Sequence, residues 1–345
     1  MMNKNIQIIF LCYSLLFLFP QPGKSNDWIK ENIELTINGK FTQALDNLYK
    51  LKTEYPEDYR ISFYLAATLN SRMIHFENIE DEQDFNKYID QTINLIEREL
   101  EKDNLNDSLH TNLLFYLGSA FGYKSYFEGK KGNWYSALSN GLKAKNLLYE
   151  AIEIDSTFYE AYFGIGTYKY WASSKIEFAL WIPFIPDDRD EGIKMIKKSI
   201  ENESPTQYMA MHQLVYILLD YGQFDEAINF AEKIVEKYPD SQFMWWANAH
   251  TYYKLRNYDH AIQSYNRLLD LFEDDPNNNP THFIKCNLKL AQLHYELKDY
   301  NNCIRFCNNL LNKDIPTELE PKLEDEFDEA KEYLKLSTEQ IKMSN

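Results

Sequence analysis

Residues 222–239 read GQFDEAINFAEKIVEKYP, and this stretch gives the clearest indication of the fold. It has the form of a helix that begins after a glycine, carries a small residue, Ala227, early on, and ends before Pro239. The same kinds of side chain return one 34-residue step later. The matched positions are Phe224, Ala227, Ile234, Val235 and Tyr238, followed by Tyr258, Ala261, Leu268, Leu269 and Phe272. A fixed period of this length predicts stacked helix pairs.

Further copies of the repeat lie on both sides of this stretch. Residues 39–56 keep the spacing of residues 222–239, and residues 300–311 form a last copy after a longer loop. In each copy a small residue early in the second helix permits a close helix crossing, and the later apolar residues return to the same helical face. The repeat is strongest at 27–56, 206–239, 240–275 and 281–314.

These positions resemble the tetratricopeptide repeat family. Trp28 and Trp245 take the place of its leading Trp, Tyr252 that of its Tyr, and Ala227 that of its Ala. The family's Leu-Gly pair departs from the pattern and reads Leu214-Val215 in one copy. The resemblance implies an exported bacterial repeat protein with an all-α fold. That fold would be a right-handed superhelical solenoid of about seven antiparallel helix pairs with a C-terminal capping helix.

The middle of the chain is less regular. Apolar residues at helical spacing predict degenerate helix pairs across 58–205, with an insertion at 173–190, and the capping helix is expected at 318–342. Residues 187–192, which follow an apolar stretch, also resemble the inclusion-body clearance repeat proteins of eukaryotes. We expect residues 26–345 to form one continuous array without a domain boundary.

The insertion is apolar, and Pro183 and Pro186 prevent a continuous helix there. Two interpretations stay open. The segment folds back to plug the array or cover neighbouring helices, since exposed apolar patches are usually avoided. Alternatively, Trp181 and Phe184 project toward a partner or a bilayer surface.

The N-terminus has the pattern of a secretory signal. Lys4 precedes an apolar run over residues 6–19, and small residues at Gly23 and Ser25 suit cleavage by signal peptidase. We expect removal of residues 1–25 and export to the periplasm or the secreted space. Cys12 lies inside the apolar run, so a lipoprotein anchor is not expected. An uncleaved N-terminal membrane anchor is the alternative, although the run is shorter than the roughly 20 residues that span a bilayer.

The charge favours protein partners. The formal charge is −17, and it becomes −19 if Lys4 and Lys24 leave with the signal. A chain without a long basic run is a poor binder of nucleic acid, and contact with a membrane would be peripheral at most. Three cysteines would remain. They are interpreted as small packing residues, whereas a disulfide would leave one thiol over.

Catalytic and metal-binding patterns are missing from the sequence. The seven histidines are dispersed, with no pair at the four-residue spacing that places two ligands on one helix face. Residues 275–286 imitate the start of a calcium loop, but Pro280 stands where glycine is needed. We therefore expect no enzyme, no cofactor and no metal site.

Binding is the expected function. In a helix-pair solenoid the first helices line a concave face, and aromatic side chains with polar tips are enriched at interface hot spots. The candidate partner-binding residues are Tyr170, Trp171, His212, Tyr216, Phe243, Trp246, His250, Tyr253 and Tyr295, with Trp181 and Phe184 as insertion contacts. Packing inward to support the array is the alternative for each. The sequence thus predicts a non-catalytic scaffold or adaptor of the cell envelope or secreted space that binds an unidentified protein. Capture of a glycan or peptide on the same aromatic face is the second hypothesis.

Overall fold

A computed structural model describes residues 27–174, 187–202, 206–273 and 280–344 of this chain. All regular elements in these ranges are helices. The α-helices are α1 Asp27–Ile37, α2 Phe41–Glu54, α3 Tyr59–His75, α4 Glu82–Leu100, α5 Asp107–Lys130, α6 Trp134–Ile154, α7 Tyr159–Ser174, α8 Arg189–Glu201, α9 Gln207–Tyr221, α10 Phe224–Lys237, α11 Gln242–Lys254, α12 Tyr258–Glu273, α13 Pro280–Glu296, α14 Tyr300–Leu311 and α15 Glu324–Ser344. A 3₁₀ turn, Glu320–Lys322, precedes α15. The predicted all-α fold of helix pairs followed by a C-terminal helix is confirmed.

The turn inside a helix pair requires a left-handed backbone. Gly39 and Gly222 adopt φ values of 72° and 84° directly after the first helix of a pair. Arg256 and Lys298 stand at the equivalent positions of later pairs and adopt φ values of 58° and 60°. Glycine takes this conformation without a steric penalty, whereas a side chain costs about 1 kcal/mol there. The later pairs therefore form the same turn at a higher local cost.

The helices form two compact units, one ending at Tyr221 and the other beginning at Gly222. In the first unit, α3, α4 and α5 meet around an aromatic core. The ring of Phe63 lies 5.1 Å from that of Tyr116 and 5.7 Å from that of Tyr123, and all three side chains are buried. Much of the high aromatic content of the sequence is thus structural in this unit.

In the second unit the small residues expected at helix crossings are buried. Ala227, Ala261 and Cys303 are each fully buried near the start of α10, α12 and α14. Cys303, Cys307 and Cys286 carry free, buried thiols. These cysteines therefore pack as small side chains, as one of the two interpretations predicted.

The C-terminal helix packs against both α13 and α14. Leu323 and Ala330 are buried in the cluster that joins it to Leu288 and Leu310. The helix starts at Glu324 and not at the predicted Glu318, because the residues around Pro321 form the 3₁₀ turn. Its apolar positions close the end of the unit, and its acidic first turn suits the positive end of the helix dipole.

Candidate partner-binding face

Four of the predicted binding residues are buried in the first unit. Tyr170 and Trp171 lie near the end of α7, and His212 and Tyr216 lie on α9 with their rings 5.3 Å apart. The Tyr170 hydroxyl donates to Asp220 Oδ2 at 2.7 Å. Burial and this bond raise the pKa of Tyr170 above its ordinary value. Tyr170 thus ties α7 to α9, and all four buried side chains offer little surface to a partner.

The second unit presents the predicted residues differently. Phe243 on α11 is buried, but Trp246, His250 and Tyr253 are half-buried. They follow one another at three- and four-residue spacing, which places them on one face of α11. Tyr295 on α13 is also half-buried. The half-buried side chains are held in place by the core, and each still exposes surface that a partner could contact.

The buried side of the Trp246 indole is held by contacts with three other rings. Its ring centroid lies 5.8 Å from that of Tyr265, 6.2 Å from that of Phe272 and 5.9 Å from that of His282. Edge-on and tilted ring contacts at these distances stabilise an aromatic side chain beyond the area that it buries. The indole is therefore preorganised, so that little side-chain entropy remains to be lost on binding.

Next to it, His250 and Tyr253 share a basic neighbour. The ammonium nitrogen of Lys289 on α13 lies 4.8 Å from the ring centroid of Tyr253, a cation–π contact. Burial, helped by the positive charges of Lys254 and Lys289, lowers the pKa of His250 to about 4. At neutral pH His250 is therefore an uncharged imidazole, which can both donate and accept a hydrogen bond.

A chain of hydrogen bonds continues from Lys289 to the C-terminal helix. Lys289 Nζ donates to Gln292 Oε1 at 2.8 Å, and Gln292 Nε2 donates to Glu329 Oε1 at 2.6 Å. Gln292 is buried, and these two bonds satisfy both the oxygen and the nitrogen of its amide within the protein. This chain links α13 to α15 and places one positive and one negative group beside Tyr253.

The far edge of the row is a cluster of tyrosines. The Tyr295 ring lies 5.1 Å from the Tyr333 ring and 5.7 Å from the Tyr300 ring. Burial first, and then nearby charges that include Glu329, raise the pKa of Tyr333 to about 12. The phenol therefore stays protonated across the physiological range. We call the surface made by Trp246, His250, Tyr253, Tyr295 and Tyr333 the aromatic face.

Sequence reasoning missed three residues that complete this surface. Glu329 and Tyr333 were not predicted, because the C-terminal helix was interpreted only as a charged cap, and Lys289 on α13 was not among the predicted residues either. The signal that could have found Tyr333 is its spacing: it lies three residues after the buried Ala330 and next to the half-buried Leu334. That spacing indicates a helix whose buried side packs on the previous pair.

The two predicted insertion contacts, Trp181 and Phe184, lie outside the residues that the structure describes. Within the described ranges, no cluster of three potential metal ligands is present. None of the described helices combines the length and the apolar character that are needed to cross a membrane.

Comparisons with known proteins give limited matches. A family model described as soluble NSF attachment protein, SNAP, matches residues 190–320. No curated protein matches the sequence.

Solved structures with a similar fold include two repeat proteins and a pilus biogenesis factor. The C-terminal part of a TPR repeat-containing protein from Cytophaga hutchinsonii is 16% identical, with a TM-score of 0.46, and the match covers 87% of this chain and 98% of that one. PilW, a type IV pilus biogenesis factor, is 16% identical, with a TM-score of 0.45 and coverage of 77% and 98%. A tetratricopeptide repeat protein from Parabacteroides merdae is 12% identical, with a TM-score of 0.37 and coverage of 90% and 98%.

Proposed function

We propose that this chain is a non-catalytic interaction scaffold that binds another protein through the aromatic face of its second unit. The aromatic face carries the proposal, because it combines held aromatic rings with a neutral imidazole and lies beside one cation, Lys289, and one carboxylate, Glu329. Interfaces concentrate their binding energy in such anchored aromatic residues. The proposed location is the cell envelope or the secreted space, on the strength of the signal-like residues 1–25.

The composition of the face suits a protein segment better than a highly charged ligand. Lys289 and Glu329 carry opposite charges and are joined through Gln292, so together they add little net charge to the face. A segment with apolar or aromatic side chains would pack against Trp246 and Tyr253.

The test is the double substitution Trp246→Ala with Tyr253→Ala. Loss of two aromatic anchors should weaken partner binding at least about 30-fold, since one hot spot contributes about 2 kcal/mol or more. Binding is measured as the amount of a specific protein recovered after crosslinking in the intact envelope. Circular dichroism of the purified variant checks that the helices persist.

Trp245→Ala provides the matched control. Trp245 is the neighbouring half-buried indole on the same helix, but its Nε1 donates to the Pro239 carbonyl oxygen at 2.8 Å and it is not part of the aromatic face. This variant should retain binding. Unchanged recovery by the folded double variant would place the site elsewhere.

Glycan capture is the alternative use of the same face, because sugars also stack on indole and phenol rings. It predicts binding of the wild-type chain to a defined glycan on an array, with loss of that signal in the double variant. A specific protein crosslinked through the aromatic face, without any glycan signal, would exclude it.

A further inference from the structure

One end of the aromatic face is built from tyrosines that recur in the repeat. Tyr253 and Tyr295 are each the last residue but one of a first helix, α11 and α13. Tyr258 and Tyr300 each begin the second helix that follows, α12 and α14. Tyr333 of α15 packs on this set, with its ring 5.1 Å from that of Tyr295. All five side chains are half-buried, so their rings are anchored and still keep exposed surface.

Two carboxylates flank these rings. Glu296 follows Tyr295 in the sequence and is exposed. Glu329 lies one helical turn before Tyr333 and is half-buried, and its Oε1 accepts from Gln292 Nε2 at 2.6 Å. A carboxylate has about four acceptor positions, so this single bond leaves Glu329 able to accept from a ligand as well. The surface thus combines aromatic rings with negative charge.

The same two carboxylates act on the phenols of two different helices. Burial first, and then neighbours that include Glu329 and Glu296, raise the pKa of Tyr253 above its ordinary value. Burial, followed by Glu329 and by neighbours that include Glu296, raises the pKa of Tyr333 to about 12. Both hydroxyl groups therefore lie in a negative field, which favours the approach of a cation.

The rings of this surface suit a cation as well. The ammonium nitrogen of Lys289 lies 4.8 Å from the Tyr253 centroid, so one ring already takes part in a cation–π contact. In the part of the chain that the structure describes, no lysine or arginine lies over the rings of Tyr295 and Tyr333. Those two rings can therefore receive a cation from another molecule. We call Tyr253, Tyr295 and Tyr333 the tyrosine cluster.

We propose that the tyrosine cluster, together with Glu296 and Glu329, binds one arginine side chain of the protein partner. This assignment rests on the proposed function, because it names the chemistry of the partner that occupies the aromatic face. A guanidinium group is planar, so it can stack on a phenol ring and donate to a carboxylate at the same time. The formal charge of −17 favours the same partner, since it attracts a basic segment at long range.

Titration of the full chain with N-acetyl-arginine amide tests the proposal. With ¹³C-labelled tyrosine rings, NMR should show its largest shifts at Tyr253, Tyr295 and Tyr333. N-acetyl-citrulline amide has nearly the same shape without the charge, and it should bind at least about tenfold more weakly. Added salt should weaken binding of the arginine probe, because it screens the carboxylates.

Two further positions separate a binding role from a structural one. Glu296→Gln changes an exposed charge without changing size, so the fold should persist while the affinity for the arginine probe falls about threefold. Glu236→Gln, at an exposed position of α10, is the matched control and should leave the affinity unchanged. Tyr333→Leu should lower the affinity at least about fivefold, whereas Tyr333→Phe should retain it, because the ring face is kept.

Equal binding of the two probes, no binding of the arginine probe, or full affinity in both Glu296→Gln and Tyr333→Leu would overturn the proposal. These results are independent of the test of the proposed function. If Trp246→Ala with Tyr253→Ala loses the crosslinked protein but the wild-type chain does not bind the arginine probe, the face binds a protein without an arginine site. If the probe binds as expected and the double variant still recovers the protein, the arginine site stands and the proposed function fails.

Discussion

The α7–α8 crossing and the α11–α12 crossing follow the same repeat, but they bring their helices together at different distances. In α7–α8 the small positions are Gly166 and Gly192. A Cβ atom on Gly166 would lie 2.5 Å from the Gly192 carbonyl oxygen, and one on Gly192 would lie 2.6 Å from the Gly166 carbonyl oxygen. The two backbones are therefore in direct contact.

At the equivalent positions α11 and α12 carry Ala249 and Ala261, both fully buried. This crossing leaves room for two methyl groups. It adds a polar contact, in which Ser264 Oγ donates to Asn248 Oδ1 at 2.7 Å. One repeat position therefore accepts either a glycine or an alanine, and the choice sets how closely the helices approach.

The largest expected effect comes from adding a methyl group to the tighter crossing. Gly192→Ala should destabilise the first unit by about 3 kcal/mol, because the new Cβ meets backbone atoms that cannot move aside without shifting a helix. The higher helix propensity of alanine offsets at most about 1 kcal/mol of this. Chemical denaturation followed by circular dichroism measures the change.

Gly141→Ala is the control for this prediction. A Cβ atom at Gly141 would meet only side-chain atoms, Ser125 Oγ at 3.0 Å and the Tyr168 ring at 3.3 Å. These groups can rotate or shift, so the cost should be well below that of Gly192→Ala. Equal stability losses in the two variants would contradict direct backbone contact as the cause.

The alanine crossing should respond to a larger side chain. Ala261→Leu should overpack the α11–α12 crossing and destabilise the second unit by about 2 kcal/mol. Because each helix pair in a repeat array contacts only its neighbours, hydrogen exchange should accelerate in α11 to α13 and not in α3 to α6. Uniform acceleration over the chain would show that the damage is not local.

A position is predictable from the sequence when it recurs in several copies of the repeat. Ala227 and Ala261 recur at a fixed step, so their burial at crossings follows from the period alone. The aromatic face was predicted in part, because Trp246, His250 and Tyr253 share that period. Tyr333 and Glu329 belong to a single terminal helix without a second copy, so no repeat could reveal their position.

Burial was harder to predict than helix placement. Tyr170, Trp171, His212 and Tyr216 are on first helices, as expected, but they are buried in the first unit. A helix that packs on several neighbours buries most of its surface, and periodicity then no longer separates an inner from an outer face. The third pair illustrates a further limit. Leu117-Gly118 restores the Leu-Gly pair there, but the surrounding repeat is degenerate, so the pair alone does not fix the register.

The smallest expected effect is a loss of stability of the second unit as the pH falls. His282 on α13 is buried against Trp246 and Phe272, and burial, followed by the charge of Lys285, lowers its pKa to about 3. An unfolded histidine binds a proton near pH 6.5. Between these two values the unfolded state binds more protons than the folded state, so stability is present above pH 6.5 and is lost as the pH falls.

Lowering the pH from 7 to 5.5 should therefore cost the second unit about 1 kcal/mol from His282 alone. The measurement is the unfolding free energy, together with hydrogen exchange resolved by helix, at the two pH values. His282→Phe should reduce this pH dependence, because an apolar ring of similar shape keeps the contact with Trp246 and has no proton to bind. His110→Gln, a substitution in the first unit, should leave the pH dependence of the second unit unchanged. If His282→Phe retains the full pH dependence, the proton is bound elsewhere, and the contrast between the two units would then rest on packing at the two crossings alone.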